Sequence, residues 1–359
     1  MSDILKIGIS VGDINGIGLE IILKTLAESR ILDYCTPIVY GNTKVCSFHR
    51  KALHLSDFTF HIIQHANQAN PKKPNLINCW EEDVRVDLGK TNEVGGRYAW
   101  VSLKKASEDL VAGHIDALVT APINKHNIQS EEFNFPGHTE YLDSMDPKNE
   151  SLMFLTSDEL RVGVVTGHIP VTQVASSLSI EKIVKKLEIM NESLKKDFWI
   201  EKPKIAVLGL NPHASDSGLI GQEESEIIIP AIQAAFDKGI ICFGPYPADG
   251  FFGNGTYKKF DAILGMYHDQ ALIPFKTIAF NTGVNFTAGL SFVRTSPDHG
   301  TGMDIAGKGI ADPTSFVEAL FSAIHITRNR KEQAELKANQ LRSGGKMIET
   351  ASDVKDDAN

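Results

Sequence analysis

No apolar run in this 359-residue chain approaches the roughly 20 residues that crossing a bilayer requires, so a membrane span is not expected. The opening residues Met1-Ser2-Asp3-Ile4-Leu5-Lys6 lack the basic start and long apolar stretch of a secretory leader. A cytoplasmic protein is therefore expected. Cysteine is scarce too. Cys35, Cys46, Cys79 and Cys242 form no C-x-x-C pair, which suggests neither a disulfide framework nor a cysteine zinc site. Positive charge is in deficit, with a formal net charge of −9. That balance disfavours nucleic acid and anionic membranes as partners, because phosphate backbones reward clustered Lys and Arg. A small anionic substrate remains compatible with it, given a local basic pocket on an acidic exterior.

What is present is globular in composition, 42% hydrophobic and 23% charged. The length suits two α/β domains or one large one. Short β-branched apolar runs alternate with amphipathic ones, the βαβ signature of a mainly parallel sheet. The runs predict strands over 6–11, 36–40, 116–121, 161–166, 204–210 and 262–267. Helices are predicted over 18–28, 97–111, 180–196 and 223–238, the last stopped by Gly239. Residues 67–78, with Pro71 and Pro74, read as an exposed loop, and the chain turns polar from about Lys331.

Several of these strands run straight into polar turns. The strand over 161–166 leads to Gly167-His168, that over 204–210 to Asn211-Pro212-His213, and that over 262–267 to His268-Asp269-Gln270. Ligands of open α/β sheets bind outside the carboxyl ends of the strands, so residues distant in sequence can meet there. Three histidines with Asp269 or Asp249 nearby would suit Zn²⁺ or a similar divalent ion. Each histidine taken singly reads more readily as a hydrogen-bonded loop residue, and it is the three together that favour a metal.

Gly137-His138-Thr139-Glu140 could bind a substrate headgroup or cap a helix beginning near Thr139. Lys276, Asn285 and Arg294 are spread along a strand-like stretch, 276–294, where a guanidinium at a strand end would suit a phosphate or carboxylate. The Gly12-Asp13-Ile14-Asn15-Gly16-Ile17-Gly18 loop could offer amides to an anion or simply form a tight turn. It matches neither G-x-G-x-x-G nor the Walker pattern.

The glycine-dense run from Asp298-His299-Gly300-Thr301 to Ala311-Asp312-Pro313 resembles the adenosine-holding loop of isocitrate and isopropylmalate dehydrogenases. It implies NAD contacts from His299, Gly300, Thr301 and Asp312, although Asp312 stands where an amide is usual. Over about 6–320 the chain resembles the 4-hydroxythreonine-4-phosphate dehydrogenase family of vitamin B6 biosynthesis. The carriers are Thr120-Ala121-Pro122-Ile123-Asn124-Lys125, Gly137-His138-Thr139-Glu140, Leu210-Asn211-Pro212-His213-Ala214, Pro247-Ala248-Asp249, Met266-Tyr267-His268-Asp269-Gln270 and Arg294-Thr295-Ser296, together with the first glycine loop. Within that loop Ile14-Asn15 and Leu19 replace the usual Pro-Ala and Pro, and Gly167 stands where a hydroxyl residue is commoner.

The resemblance implies two α/β/α domains of the isocitrate/isopropylmalate dehydrogenase-like type with the active site in the cleft between them. The first would comprise 1–135 with 300–359, including a polar extension from about 331. The second, 136–299, would carry the metal ligands and the dimer interface. Position by position, the resemblance implies that His168, His213 and His268 bind one divalent ion, Zn, Mg or Co. It implies substrate contacts from His138, Thr139, Lys276, Asn285 and Arg294, and a homodimer whose active site draws metal-binding histidines from both subunits. The implied reaction is NAD-dependent oxidation of 4-phosphooxy-L-threonine, followed by decarboxylation. Lys276, Asp249 and His138 are all chemically possible bases for the alcohol proton. Alternatives are a relative acting on phosphorylated threonate or erythronate or on a dihydrodiol, a metal-dependent phosphohydrolase, and a binding protein without turnover.

Overall fold

The computed structural model describes residues 4–339. Its strands are β1 (Lys6–Ser10), β2 (Thr36–Gly41), β3 (His61–Ile63), β4 (Asn75–Asn78), β5 (Ala117–Thr120), β6 (Leu152–Thr156), β7 (Arg161–Thr166), β8 (Ile205–Leu208), β9 (Cys242–Tyr246), β10 (Ala262–Tyr267), β11 (Val284–Ala288) and β12 (Arg294–Pro297). The helices are α1 (Gly18–Ala27), α2 (Thr43–Ala52), α3 (Glu93–Val111), α4 (His138–Ser144), α5 (Ile180–Phe198), α6 (Ile229–Asp237), α7 (Ala248–Gly253), α8 (His268–Ala279) and α9 (Thr314–Ala338). All six expected strands and all four expected helices form. Side-chain caps start several of the helices: Asn42 accepts from the Lys44 and Val45 amides, Asn92 from Gly95 and Ser179 from Lys182. Gly239 follows α6 at φ 81°, the left-handed stop its position called for.

The strands pair into one 12-stranded sheet in the order β3-β4-β2-β1-β5-β12-β11-β6-β7-β10-β8-β9. The expectation of a mainly parallel sheet needs one correction. β3 through β12 are parallel, and so are β7-β10-β8-β9, but β11 is antiparallel to both neighbours and β6 is antiparallel to β7. The two parallel blocks therefore run in opposite directions, and their carboxyl ends approach the antiparallel centre from opposite sides. Two local readings also change. Lys276 lies on α8, not on a strand, because the apolar residues from Ala271 to Ala279 bury one helical face. Asn75–Asn78 is not loop but the buried strand β4, held in register with β2.

One face of the sheet carries a continuous core, with Ile9, Val39, Val119, Phe154, Val165, Val207, Leu264 and Phe286 packed under α1, α5, α6 and α9. On the opposite face the core is split. Leu118, Leu103 and Phe133 belong to one cluster near α3, and Leu155, Val162, Ile263 and Phe275 to another near α8. Between the two clusters that face turns polar, because β11 alternates apolar residues with Asn285 and Thr287 and β12 brings Arg294 and Ser296 to the same side. Of the polar extension expected from about Lys331, the residues to Ala338 belong to α9, and 340–359 lie outside the described residues.

Candidate functional site

The polar gap is the floor of a cavity of about 270 Å³. Register explains its composition. Asn285 pairs with Leu155 on one side and Ser296 on the other, and Thr287 pairs with Met153, so every second residue of the three strands faces the same way. The walls come from the carboxyl end of β5 and the following turn (Thr120, Pro122, Lys125), the start of α4 (His138, Thr139), His168 after β7, and the segment from Pro297 to Gly300. α8 contributes His268, Leu272 and Lys276, whose four-residue spacing puts them on one helical face.

All five expected substrate residues, His138, Thr139, Lys276, Asn285 and Arg294, line this one cavity. Arg294 is 2% exposed. Its Nε and Nη2 donate to Thr120 Oγ1 at 3.1 and 2.6 Å, and Nη1 donates to Thr287 Oγ1 at 3.2 Å. Both partners are neutral hydroxyls, so burial draws the guanidinium down from its ordinary range to about 9, opposed only by the Glu140 charge. Burial, reinforced by the Arg294 and Lys125 charges, holds His138 well below the ordinary imidazole value and hence neutral. His138 Nε2, Asn285 Oδ1 and His299 Nε2 are shielded from solvent without a hydrogen-bond partner among the described residues. A cation and three unsatisfied polar atoms converging on one space are the groups an anionic, hydroxylated ligand would satisfy.

Sequence reasoning missed Thr120 and Thr287, because only the β5–β12 and β11–β12 neighbourhoods bring them to Arg294. It missed Asp298 as well, whose Oδ1 lies 3.1 Å from Lys276 Nζ while its carbonyl accepts from the same ammonium at 3.2 Å. Burial raises the Asp298 carboxyl, with Lys276 opposing. Replacing Thr120 with Val should leave two guanidinium donors unmet at a cost of about 1–3 kcal/mol. A lower unfolding midpoint and weaker anion binding are expected, with Thr120→Ser close to wild type. Unchanged stability and affinity in Thr120→Val would show that the hydroxyl does not hold the guanidinium.

His168 and His268 face one another with ring centroids 5.4 Å apart. Each has a carboxylate at Nδ1: Asp269 Oδ1 lies 2.6 Å from His268 and Glu140 Oε1 3.5 Å from His168. The pair thus fits two ligands of a divalent ion, with Nε2 as the coordinating atom and the carboxylates fixing the tautomer. His213 lines a neighbouring cavity instead, with Asp249, Tyr267, Asp269 and Gln270. No group of three His, Cys, Asp or Glu that could hold a metal occurs among the described residues. Of the three acid–base candidates, then, Lys276 and His138 line the first cavity and Asp249 accompanies His213 in the second.

The His213 turn is built with care. Residues His213, Ala214, Ser215, Asp216 and Ser217 all have positive φ, between 45° and 70°, a run that costs about 1–2 kcal/mol per residue in an isolated chain. Buried Glu224, on a π-helical turn entering α6, grips its base. Glu224 accepts from the Leu210 and Asn211 amides at 2.7 Å each and from Asn211 Nδ2 at 2.9 Å. Such strain and π-turns concentrate at functional sites.

Of the expected cofactor residues, His299 and Gly300 line the first cavity. The Thr301 carbonyl accepts from the Ile17 amide at 2.9 Å, and Asp312 Oδ1 accepts from the Thr314 amide at the start of α9. Two of the glycines are there for packing. A Cβ at Gly302 would sit 2.9 Å from Ile17 Cδ1, and one at Gly307 2.6 Å from Leu88 Cδ1. A Cβ at Gly300 meets nothing within 4 Å.

A family model described as "Pyridoxal phosphate biosynthetic protein PdxA" matches residues 33–323. The chain is 51% identical over 339 residues to a 4-hydroxythreonine-4-phosphate dehydrogenase of Bacteroides thetaiotaomicron, covering 94% of this chain and 93% of that one. It is 40% identical over 324 residues to a putative D-threonate 4-phosphate dehydrogenase of Oceanobacillus iheyensis, covering 89% and 97%. Among solved structures, the 4-hydroxythreonine-4-phosphate dehydrogenase of Klebsiella pneumoniae superposes with a TM-score of 0.77 at 34% identity, over 91% of this chain and 98% of that one.

Proposed function

This chain belongs to the PdxA family of pyridoxal phosphate biosynthetic proteins, and from that premise we propose that it oxidises 4-phosphooxy-L-threonine with NAD⁺ in vitamin B6 biosynthesis. The observation that carries the substrate class is Arg294, a buried guanidinium with neutral partners facing a cavity that also holds Lys125 and Lys276. On a chain of net charge −9, three cations around one cavity favour a phosphorylated acid over an uncharged dihydrodiol.

Arg294 and Lys276 bind the phosphate and carboxylate ends, and Asn285 and neutral His138 supply hydrogen bonds that fix the alcohol between them. Asp298 and Ser315 hold the Lys276 side. Ser315 Oγ accepts from the Asp298 amide at 3.1 Å and donates to the Gly283 carbonyl at 2.8 Å. When bound, the dinucleotide supplies the hydride acceptor, and a divalent ion supplies a Lewis acid for the C3 oxygen through oxidation and the loss of CO₂ that yields 3-amino-2-oxopropyl phosphate. His168 and His268 of one chain would hold that ion. His213 lines a different cavity of the same chain, so it would complete the set from a second copy, in a homodimer whose interface belongs to the 136–299 half. A cytoplasmic enzyme is part of this proposal, as a dinucleotide-dependent reaction on a small phosphorylated metabolite suits; separately, no helix among the described residues is long and apolar enough to cross a membrane.

The test is NADH formation with 4-phosphooxy-L-threonine in the presence of Zn²⁺, Mg²⁺ or Co²⁺, with CO₂ measured in parallel. Stoichiometric NADH and CO₂ are expected. The Oceanobacillus relative makes phosphorylated threonate the necessary comparison. A higher kcat/KM on that acid would move the assignment to it, and phosphate release without NADH would replace oxidation by hydrolysis.

A further inference from the structure

The glycine-dense segment after β12 lies against two separate supports, and one buried side chain joins them. The first support is the turn after β1, where the Ile17 amide donates to the Thr301 carbonyl at 2.9 Å. The second is the turn before α3, where Gly89 approaches so closely that a Cβ there would lie 2.8 Å from the Met303 carbonyl. Asn15, fully buried, spans the two. Its Oδ1 accepts from the Asp87 amide at 2.8 Å and its Nδ2 donates to Asn92 Oδ1 at 2.9 Å. Its carbonyl accepts from the Gly89 amide at 2.9 Å, and its own amide donates to Asp13 Oδ1 at 2.9 Å. Asp13 Oδ2 in turn accepts from Asn127 Nδ2 at 2.8 Å, tying in the turn that carries Asn124 and Lys125.

We propose that Asn15 is a positioning residue for the dinucleotide: by clasping the turn before α3 to the turn after β1, it sets the seat on which residues 300–307 present their backbone to the cofactor. The proposal rests on the reading of residues 298–313 as the dinucleotide loop. Both side-chain polar atoms of Asn15 are engaged inside the protein, so its effect passes through the loop and not through contact with ligand. Truncation to alanine removes both side-chain bonds and keeps both backbone bonds, so the fold should persist while the gap between the supports relaxes. Loop displacement should weaken dinucleotide binding without touching the cavity floor of Asn285 and Arg294.

The experiment uses the full-length enzyme with Asn15→Ala and, independently, Gly89→Ala, which strains the second support at φ 76° and pushes on Met303 while leaving the Asn15 side chain in place. NAD⁺ saturation kinetics, NADH fluorescence titration and peptide-resolved hydrogen exchange are compared with wild type. The expected result is an NAD⁺ KM and NADH Kd raised about five- to tenfold, the loss of one or two buried hydrogen bonds. The kcat at saturating NAD⁺ and the KM for the phosphorylated acid stay within about twofold on the same basis, and exchange quickens in 300–307. Unchanged dinucleotide affinity with unchanged exchange in that segment overturns the proposal. So does a general loss of exchange protection with equal damage to both substrates, which would make Asn15 structural only. Faster exchange in 300–307 with unaltered NADH affinity upholds the clasp and removes the dinucleotide from this loop. If Asn15→Ala does not fold, the same split in Gly89→Ala decides the matter.

Discussion

Replacing His213 with alanine should abolish turnover and lower the metal content of the purified enzyme, although His213 shares no cavity with His168 and His268 in its own chain. The reason is geometric. Two imidazoles facing one another at a 5.4 Å centroid separation make an incomplete site for a divalent ion, which takes three protein ligands when a position is kept open for substrate. If a second copy supplies the third ligand, then inactive His213→Ala chains and inactive His168→Ala chains should complement one another. Random re-association would put one intact site in each mixed dimer and recover about a quarter of wild-type activity. Titration with a chelator gives an independent readout, since the mixed dimer should retain one tight metal per two chains. A mixture that stays inactive would place all the ligands within one chain, and full activity of chelator-treated His213→Ala would end its role as a ligand.

Arg294→Met should separate function from stability. Arg294 hydrogen-bonds only the hydroxyls of Thr120 and Thr287, and the Glu140 carboxylate only eases its burial, so its charge is partly compensated until an anion arrives. Removing it should raise the KM for the phosphorylated acid by about 30- to 150-fold, the worth of a desolvated, charge-assisted contact. The fold should lose nothing, and should gain up to about 2 kcal/mol, because an apolar side chain of similar length carries no desolvation cost. Linkage gives the pH signature. Folding depresses the guanidinium from its ordinary range to about 9, so below about pH 9 the folded state bears the full cost of the charge. Above about pH 9 the unfolded chain holds more protons, and wild type recovers that cost relative to the variant as pH rises. Inorganic phosphate should raise the unfolding midpoint of wild type and leave that of Arg294→Met where it is. A variant that is destabilised by several kcal/mol and still binds substrate normally would make Arg294 a structural residue.

The residues at strand ends were the readable part of the site. His168 and His268 follow β7 and β10, and Lys276 falls two turns after His268 on α8, so three walls of the cavity could be named from local pattern. Thr120 was visible within a motif without a role, since nothing near it in sequence indicates that a guanidinium 174 residues away will donate to it twice. Asp298 went unassigned for the same reason: its partner Lys276 is 22 residues upstream on a helix that looked like strand. Helix and strand periods are hard to tell apart in a short apolar stretch, and Pro274 inside α8 sharpened that ambiguity.

By itself the sequence determined where the longer elements of both parallel blocks lie, β1, β2, β5, β7, β8 and β10 with α1, α3, α5 and α6, and which polar residues follow their strands, because hydrophobic period, caps and glycine stops act over a few residues; the outer strands β3, β4 and β9 were too short or too polar to show. Its acidic balance and lack of long apolar runs narrowed the partners to small molecules. Only the tertiary structure decided that β11 and β6 reverse the sheet between the two blocks, that the polar gap there becomes the floor of the cavity, and that Arg294 is buried against hydroxyls alone. It also decided that His213 turns into a different cavity from His168 and His268. These outcomes depend on which short strands become neighbours and in which direction, a choice made by long-range pairing and by the burial of two separate cores on one face, and no local pattern records it.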